Sequence, residues 1–373
     1  MVGGGPAGLY LAYLLKRRDP TSQVTLFEQN PRGATYGWGV VFSDRALAFL
    51  QAASPEVYAD VIGRSQRWDD QVIVHRGQAI RIDGISFSGI GRLTLLDILQ
   101  AHCARAGAEL RFETRLEAPP SPAEYDLVVG ADGVNSVVRQ ALADRFQPST
   151  RTLTNRYVWY GTHQRFDALT LTFRQNQDGA FVAHHYPHSE TTSTFVVECD
   201  APTWQRAGLG DMSEDDSRQY CEGVFAEDLG GNGLLTNRSM WVAYRVVTNR
   251  RWSAGNVVLI GDALRTVHFS IGSGTRSAMQ DAIALANVLP DEDVPRALEA
   301  FEAERRPEVD KFLEIAARSY TWYEQFSDKL RLSPLQLAYD YVQRSGRISH
   351  ERLRERSPAF TARYEAATRL PDA

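Results

Sequence analysis

Residues 256–282 read NVVLIGDALRTVHFSIGSGTRSAMQDA: a short apolar run, a Gly-Asp pair, a glycine loop and a segment of helical periodicity. An apolar run with no alternation is the pattern of a strand buried on both faces of a parallel sheet. The chain opens on a loop of the same kind, GGGPAGLY at residues 3–10, where Gly3, Gly5 and Gly8 have the spacing G-x-G-x-x-G around Ala7. A glycine loop between strand and helix lets backbone N–H groups and the positive end of the helix approach a pyrophosphate. The helix that follows carries Leu9, Leu11, Leu14 and Leu15 at helical spacing. SQVTLFEQN at 22–30 predicts a second strand ending in Glu28 and Gln29, with Glu28 20 residues beyond Gly8. A carboxylate there accepts hydrogen bonds from ribose hydroxyls. Only Met1 and Val2 precede the glycines; a strand ordinarily supplies about five or six residues, so residues upstream of this numbering are expected. The first loop, with its helix, second strand and acid, predicts a bound dinucleotide.

The bulk numbers set the frame. A chain of 373 residues favours two closely packed domains over a single core. Apolar residues make up 43%, the mean hydropathy is −0.33, and no run of about 18 apolar residues could span a membrane. No charged-then-apolar leader is expected ahead of the first motif. Cys103, Cys199 and Cys221 are widely separated, with no C-x-x-C pair, which speaks against a metal site, a dithiol centre or a disulfide framework. A cytoplasmic location is the expectation. The net charge of −5 gives no general attraction for nucleic acid or an anionic membrane, so an anionic ligand must find a local basic patch.

With no repeat and no Gly/Ser linker, the domains are expected to interleave. TLLDILQAHCARAGAEL at 94–110 predicts a helix, with Thr94 and Asp97 as a capping box and Gly107 as its stop. YDLVVGADGVNSVVR at 125–139 predicts a buried strand running into Asp-Gly. RYVWYGTH, LTLTFRQ, GAFVAHHYP and TSTFVVECD, between 156 and 200, predict antiparallel strands, the middle two joined by NQDG as a hairpin. The expected fold is α/β: a Rossmann-like cofactor domain from 1–150 and 250–295, including part of the substrate region near 60–90. An antiparallel substrate sheet spans 151–249, and a helical region spans 296–373.

The order of three motifs, GGGPAG, ADGVNSVVR and LIGDA followed by GSGT, resembles the single-component, class A FAD-dependent aromatic hydroxylases of the p-hydroxybenzoate hydroxylase type. GWGVVFSD, FSGIGR, WYGTHQRFDALT, HFSIGSGT, DAIALA and RISHERL are most similar to the branch acting on salicylyl-CoA and anthraniloyl-CoA. The resemblance covers essentially the whole chain. It implies FAD, held at the adenosine end by Gly3, Gly5, Ala7, Gly8, Glu28 and Gln29. Arg92 faces the phosphates, and Asp132 with Gly133 serves both FAD and the nicotinamide donor. Gly261 and Asp262 lie at the ribityl chain, and Gly272, Ser273, Gly274 and Thr275 beside the ring; Val40 completes the set. Two departures stand out. Ala263, Leu264 and Arg265 replace the usual Ala-Ala-His, leaving the role of Arg265 open, and Phe269 replaces the usual proline.

The implied reaction is hydroxylation of salicylyl-CoA to gentisyl-CoA with NAD(P)H, NADH favoured, and O₂, through a flavin C4a-hydroperoxide. Oxygen goes to the carbon para to a phenol, so a base or acceptor at that hydroxyl is wanted. His268, on the ring loop, is the catalytic candidate; the alternative is a histidine that orders the loop. His163 and His184 are further substrate candidates, and His184 and His185 cannot share one face of a strand. Trp159, Tyr160, Phe173, Phe181, Tyr186 and Phe269 are available to pack an aromatic ring; any of them also reads as sheet core. Arg347, within the run Arg344, Arg347, Arg352, Arg354 and Arg356, and the pair Arg250 and Arg251 could meet CoA phosphates, or could be solvated faces. Anthraniloyl-CoA, an indole or tryptophan-derived substrate, and a non-catalytic flavin or acyl-CoA binding module remain the alternatives. No metal is expected.

Overall fold

The computed structural model describes residues 1–43, 47–289 and 293–368. Its parallel sheet runs in the order Glu109–Arg111, Thr25–Phe27, Val2, Val128–Gly130, Val257–Leu259, Ser253–Ala254; all neighbours are parallel except the last pair. The first strand is reduced to a stitch. Val2 N donates to Val129 O at 2.8 Å and Gly3 N to Phe27 O at 2.8 Å, so three residues join the two halves of the sheet. Helices Pro6–Arg18, Arg92–Ala106 and Gly274–Val288 cover it, and Leu9, Leu11, Leu99, Leu259 and Leu285 are wholly buried in the shared core. The helix expected from Thr94 begins at Arg92, directly off the strand Phe87–Gly91, so Gly91 is its N-cap and no capping box forms. Gly107 ends it with φ of 84°, the left-handed stop that glycine adopts without strain.

The second sheet has eight strands and is antiparallel from Leu234–Leu235 through Pro148–Thr162, Ser193–Cys199 and Gly179–Pro187 to Leu169–Asn176. Val242–Asn249 also pairs with Pro148–Thr162. Gln71–His75 and Gln78–Ile82 extend the far side, the former parallel to Leu169–Asn176. The NQDG hairpin is present, pairing Asn176 with Gly179.

Register assigns the faces. Tyr157 pairs with Glu198, Glu198 with Val182, Val196 with His184 and Trp159, and His184 with Leu171. Cross-strand partners share a face, so Tyr157, Trp159, Val196, Glu198, His184 and Leu171 all look one way. Tyr160, Phe181, Ala183, Phe195 and Val197 look the other way, into a core closed by Leu209, Cys221 and Phe225.

A small sheet of Gly39–Ser43, Phe87–Gly91 and Gln66–Trp68 joins the two large ones. Its approach depends on glycines. A Cβ on Gly37 would lie 2.8 Å from the Trp159 ring, and one on Gly161 2.5 Å from the Trp38 ring. The long helix Val294–Glu324 and those after it lie over the second sheet, where Trp322, Tyr323, Phe326 and Tyr341 pack on Ile73, Leu171 and Phe173.

Candidate active site

The three glycines of the first loop have three different reasons to be glycine. Gly3 has φ of 104°, and a Cβ there would meet Ala131 O at 2.4 Å; one on Gly8 would meet Gly3 O at 2.2 Å. Around Gly5 nothing lies within 4 Å. The first and third are closed by the protein itself, and the middle one presents open backbone at a helix N-terminus, the cradle a pyrophosphate needs. Ala7 is buried in the following turn. Glu28 Oε2 accepts from Gly4 N at 2.7 Å, and Oε1 accepts from Asn30 N at 2.8 Å, so the carboxylate also ties the loop to the second strand; Gln29 beside it is exposed.

Asp132 Oδ2 accepts from Val137 N at 2.6 Å, while Oδ1 is buried without a partner. Burial pushes this carboxyl above its usual range, with Ser136 and backbone N–H groups opposing. An orphaned carboxylate oxygen beside Gly133, which has φ of 76°, is a free acceptor for a bound hydroxyl.

At the other end, Asp262 is exposed although its loop neighbours Gly261, Ala263, Leu264 and Arg265 are buried. Surrounding protein raises its carboxyl above the usual value, and the Arg92 and Arg265 guanidiniums pull it back. Burial lowers the Arg92 guanidinium from its usual value, and the charges of Asp262 and Tyr186 oppose that. Residues 170 apart thus act on one another's charge, as one cofactor spanning both would require.

The open question about Arg265 has a structural answer. Its guanidinium meets Asp281 at 2.5 and 2.8 Å and Ser277 Oγ at 2.5 Å, and Arg305 reaches the same carboxylate at 3.1 Å. Asp281 Oδ2 also accepts from Gly261 N at 3.0 Å. This buried network locks the Gly-Asp turn onto helix Gly274–Val288. Asp281 was not singled out from the sequence; its signal was an acid inside the apolar string DAIALA.

Ser273 precedes the first turn of that helix, with Gly274 and Thr275 beginning it. Gly272 has φ of 58°, and a Cβ there would sit 3.3 Å from Val41, next to Val40. The ring-side loop therefore abuts the small joining sheet.

Phe269 meets the rings of Tyr157 at 4.8 Å, His184 at 5.6 Å and Tyr244 at 6.1 Å. Behind them His184 Nε2 stands 3.4 Å from Glu198 Oε2; both atoms are buried, and neither makes a hydrogen bond. Asn155 Nδ2 donates to Glu198 Oε1 at 2.8 Å and to Tyr323 O at 2.9 Å. Burial pushes the Tyr157 hydroxyl up to about 12, and the charges of Glu198 and Asp262 add to it. One aromatic, acid-bearing face thus looks onto the loop. Glu198, Tyr157, Asn155 and Tyr323 are additions that the sequence did not single out.

Other candidates fall elsewhere. Tyr160 lies on the opposite face, where its hydroxyl meets Ser217 Oγ at 3.3 Å, and Phe181 is beside it. Alternation separates them from Tyr157 and Trp159, so neither reaches the ring-side loop. His163 is exposed at the sheet's end, against Thr191 O at 3.2 Å. His185 faces away from His184 and meets Thr172 Oγ1 at 3.0 Å. Phe173 packs against Trp322 and Phe326; Tyr186 donates to Gly39 O at 2.9 Å.

His268 is on the loop but turned to a different task. Its Nδ1 accepts from Ser270 N at 3.3 Å and lies 2.8 Å from Ser270 Oγ. A backbone N–H can only donate, so the proton sits on Nε2 and the acceptor nitrogen is committed within the loop. Burial pushes its pKa down to about 3. It lines a cavity of about 490 Å³ with Tyr244, Thr266 and Tyr320. The geometry favours loop anchor and Nε2–H donor over base.

The arginine run divides. Arg354 pairs with Glu365 at 2.7 Å, Arg352 is exposed, Arg344 Nη2 donates to Ser270 O at 2.7 Å, and Arg347 is exposed on the turn between them. Arg250 lies apart, against Gln147 Oε1 at 3.2 Å. Among the described residues no helix is long and apolar enough to cross a membrane.

Residues 122–316 match the FAD binding domain family, and residues 1–49 match the NAD(P)-binding Rossmann-like domain family. Salicyloyl-CoA 5-hydroxylase of a Streptomyces species is 38% identical over 98% of this chain and 72% of its own length. The 3-hydroxy-4-methyl-anthranilyl-[aryl-carrier protein] 5-monooxygenase of Streptosporangium sibiricum is 38% identical over 93% and 94%. The crystal structure of 2-methyl-3-hydroxypyridine-5-carboxylic acid oxygenase superposes with a TM-score of 0.72, at 19% identity, over 97% of this chain and 96% of that one, a likeness of fold. With a two-ended cradle that fits FAD and an aromatic face opposite its ring loop, the chain belongs to the FAD-dependent aromatic monooxygenases.

Proposed function

We propose that the aromatic substrate of this monooxygenase is an acyl thioester, salicylyl-CoA, hydroxylated at C5 with O₂ and with NAD(P)H as electron donor. The observation that carries the reading is the buried pair His184 and Glu198, 3.4 Å apart and without other hydrogen bonds at the facing atoms, behind Phe269 on the ring-side loop. A buried polar pair left unpaired is costly unless a ligand completes it. Two relatives named for thioester-bound hydroxylated aromatics support the substrate class.

FAD, reduced by NAD(P)H, supplies the activated oxygen atom when bound. Gly3, Gly5, Gly8 and the start of helix Pro6–Arg18 would hold its pyrophosphate, with Glu28 at the adenosine ribose and Arg92 at the phosphates. Asp132 and Asp262 would accept from its hydroxyls, and Gly272 to Thr275 would flank its ring. The cofactor-holding unit is drawn from residues 1–150 and 250–295, roofed by 151–249 together with the strands of 71–82.

Within this reading Phe269, Tyr157 and Tyr323 keep water from the ring. The buried His184–Glu198 pair takes up the proton of the ring hydroxyl. The phenolate donates to its para carbon more strongly than the phenol, which directs oxygen to C5. His268 offers its Nε2–H as a donor.

The test is turnover of the FAD-loaded protein with NADH and NADPH on salicylyl-CoA, anthraniloyl-CoA and the free acids. The expected result is oxidation of the nicotinamide stimulated by salicylyl-CoA and a product heavier by one oxygen atom. Stimulation by a free acid alone, or by none of them, would reject the thioester reading.

A further inference from the structure

The ring-side loop is held from a part of the chain that carries no cofactor motif. Arg344 lies at the C-terminal end of helix Pro334–Gln343, 74 positions beyond Ser270. Its guanidinium donates from Nη2 to Ser270 O at 2.7 Å and from Nε to Ser319 Oγ at 3.2 Å. Nη1 donates to Tyr341 O at 2.9 Å, and the group lies 3.7 Å from the centre of the Tyr341 ring. These contacts hold the side chain in one orientation. Ser319, wholly buried in the long helix Val294–Glu324, stands 2.8 Å from Ser270 Oγ. Ser270 Oγ in turn stands 2.8 Å from His268 Nδ1.

The ends of this chain of hydrogen bonds set the direction of every proton in it. A guanidinium has no acceptor, so Ser319 Oγ accepts from Arg344. His268 Nδ1 accepts from Ser270 N at 3.3 Å, so it carries no proton and takes the Ser270 hydroxyl as a second donor. Ser270 Oγ then has only lone pairs left for Ser319, whose hydroxyl donates to it. The donors run one way, from Arg344 through Ser319 and Ser270 to His268. They leave the imidazole proton on Nε2, in a residue that lines the cavity with Tyr244, Thr266 and Tyr320. A charged donor at the head of such a series strengthens the bonds that follow. Ser270, Ser319 and His268 are all buried, so no bulk water stands ready to replace a lost link.

We propose that Arg344 is a positioning residue for the flavin site: through Ser319 and Ser270 it seats the ring-side loop and fixes the tautomer of His268. The C-terminal helices thereby complete a cofactor site whose motifs all lie before residue 276. The inference needs bound FAD and is independent of the thioester reading. Arginine suits the task because its planar fork reaches Ser270 O and Ser319 Oγ at once, where an ammonium would serve them one at a time.

The full chain is compared with Arg344→Met, Arg344→Lys and Ser319→Ala, and with Arg174→Met as a control that loses a bidentate pair with Asp228 away from the loop. Two readings need no aromatic substrate. Equilibrium dialysis should show FAD bound about tenfold more weakly by Arg344→Met and about fivefold more weakly by Ser319→Ala, the loss of one charge-assisted and one neutral hydrogen bond. Arg344→Lys should recover only part of the affinity. Histidine-selective ¹⁵N NMR of the FAD-loaded proteins, with His268 assigned by its absence from His268→Gln, should show protonation at Nε2 alone in the parent. In Ser319→Ala a fraction protonated at Nδ1 should appear, because nothing then turns the Ser270 hydroxyl toward His268. Unchanged FAD affinity in Arg344→Met, an unchanged His268 signal in Ser319→Ala, full recovery by Arg344→Lys, or an equal loss of FAD affinity in Arg174→Met would overturn the proposal. Should Arg344→Met not fold, Ser319→Ala, which removes a single hydroxyl, decides by the same two readings. Failure of salicylyl-CoA as a substrate leaves both intact.

Discussion

A side chain built at Gly5 meets no protein atom within 4 Å, whereas at Gly3 and Gly8 it strikes backbone. Gly5→Val is therefore expected to fold with the circular dichroism of the parent and yet retain no FAD, while Gly8→Val is expected not to fold; a Gly5→Val protein that purifies yellow and fully loaded would contradict the cradle. Glu198→Gln tests the other end. It keeps an acceptor for Asn155 Nδ2 and removes the charge facing His184. Losing a charged partner costs about 1.5–3 kcal/mol, so hydroxylated product per NADH should fall about tenfold or more, with hydrogen peroxide making up the difference. A uniform loss of stability with unchanged coupling would leave Glu198 a purely structural residue. The cradle was legible in the sequence because glycine spacing is local. Glu198 and Tyr157 were not, because what joins them is strand register, and a local pattern carries alternation without saying which parity faces the cofactor. Tyr160 was assigned to the pocket for that reason. His268 was found by its loop, but the occupation of its Nδ1 by Ser270 depends on a turn that sequence does not resolve.

The elements meet where glycine makes room for tryptophan. Gly37 admits Trp159 and Gly161 admits Trp38, and this interlock sets the strand Gly39–Ser43, with Val41 against Gly272, between the parallel sheet and the roof. A methyl at Gly161 would stand 2.5 Å from the Trp38 ring; overpacking of this kind costs about 1–3 kcal/mol. Gly161→Ala should lower the denaturation midpoint accordingly and weaken FAD retention. Gly223→Ala, in helix Glu214–Val224 with open space around it, should be neutral or stabilise by about 0.5–1 kcal/mol. Equal midpoints for the two would show the interlock to be slack. The strands of the roof and its NQDG hairpin were legible as β-branched runs bounded by turn residues. The recruitment of Gln71–His75 and Gln78–Ile82 into the same sheet was not, since a parallel pairing with Leu169–Asn176 across about a hundred residues leaves no local mark.

Across the described residues, four buried histidines with lowered pKa values bear on acid stability. Burial holds His185 in the outer core at about 3, His188 at the joining sheet at about 4, and His268 in the ring-side loop at about 3, and it lowers His75, against Leu330 O, as well. In the unfolded chain each returns to about 6.5. Above that value both states are neutral and the histidines contribute nothing to the pH dependence. Below it the unfolded chain binds protons that the folded chain refuses, so stability falls as pH drops toward 4, by up to about 1.4 kcal/mol per pH unit for each histidine. Asp132, raised by burial, acts in the opposite sense, because the folded state takes its proton first, and it offsets part of the loss. Four histidines against one buried carboxyl leave a net fall. Thermal midpoints of the FAD-loaded protein should therefore decline between pH 6.5 and 4.5. His185→Gln, which keeps a polar partner for Thr172 on the side of the sheet away from the cofactor, should make that decline shallower with little effect on turnover. A midpoint that stays constant or rises on acidification, or a His185→Gln slope equal to the parent's, would mean that these histidines are not held neutral by the fold.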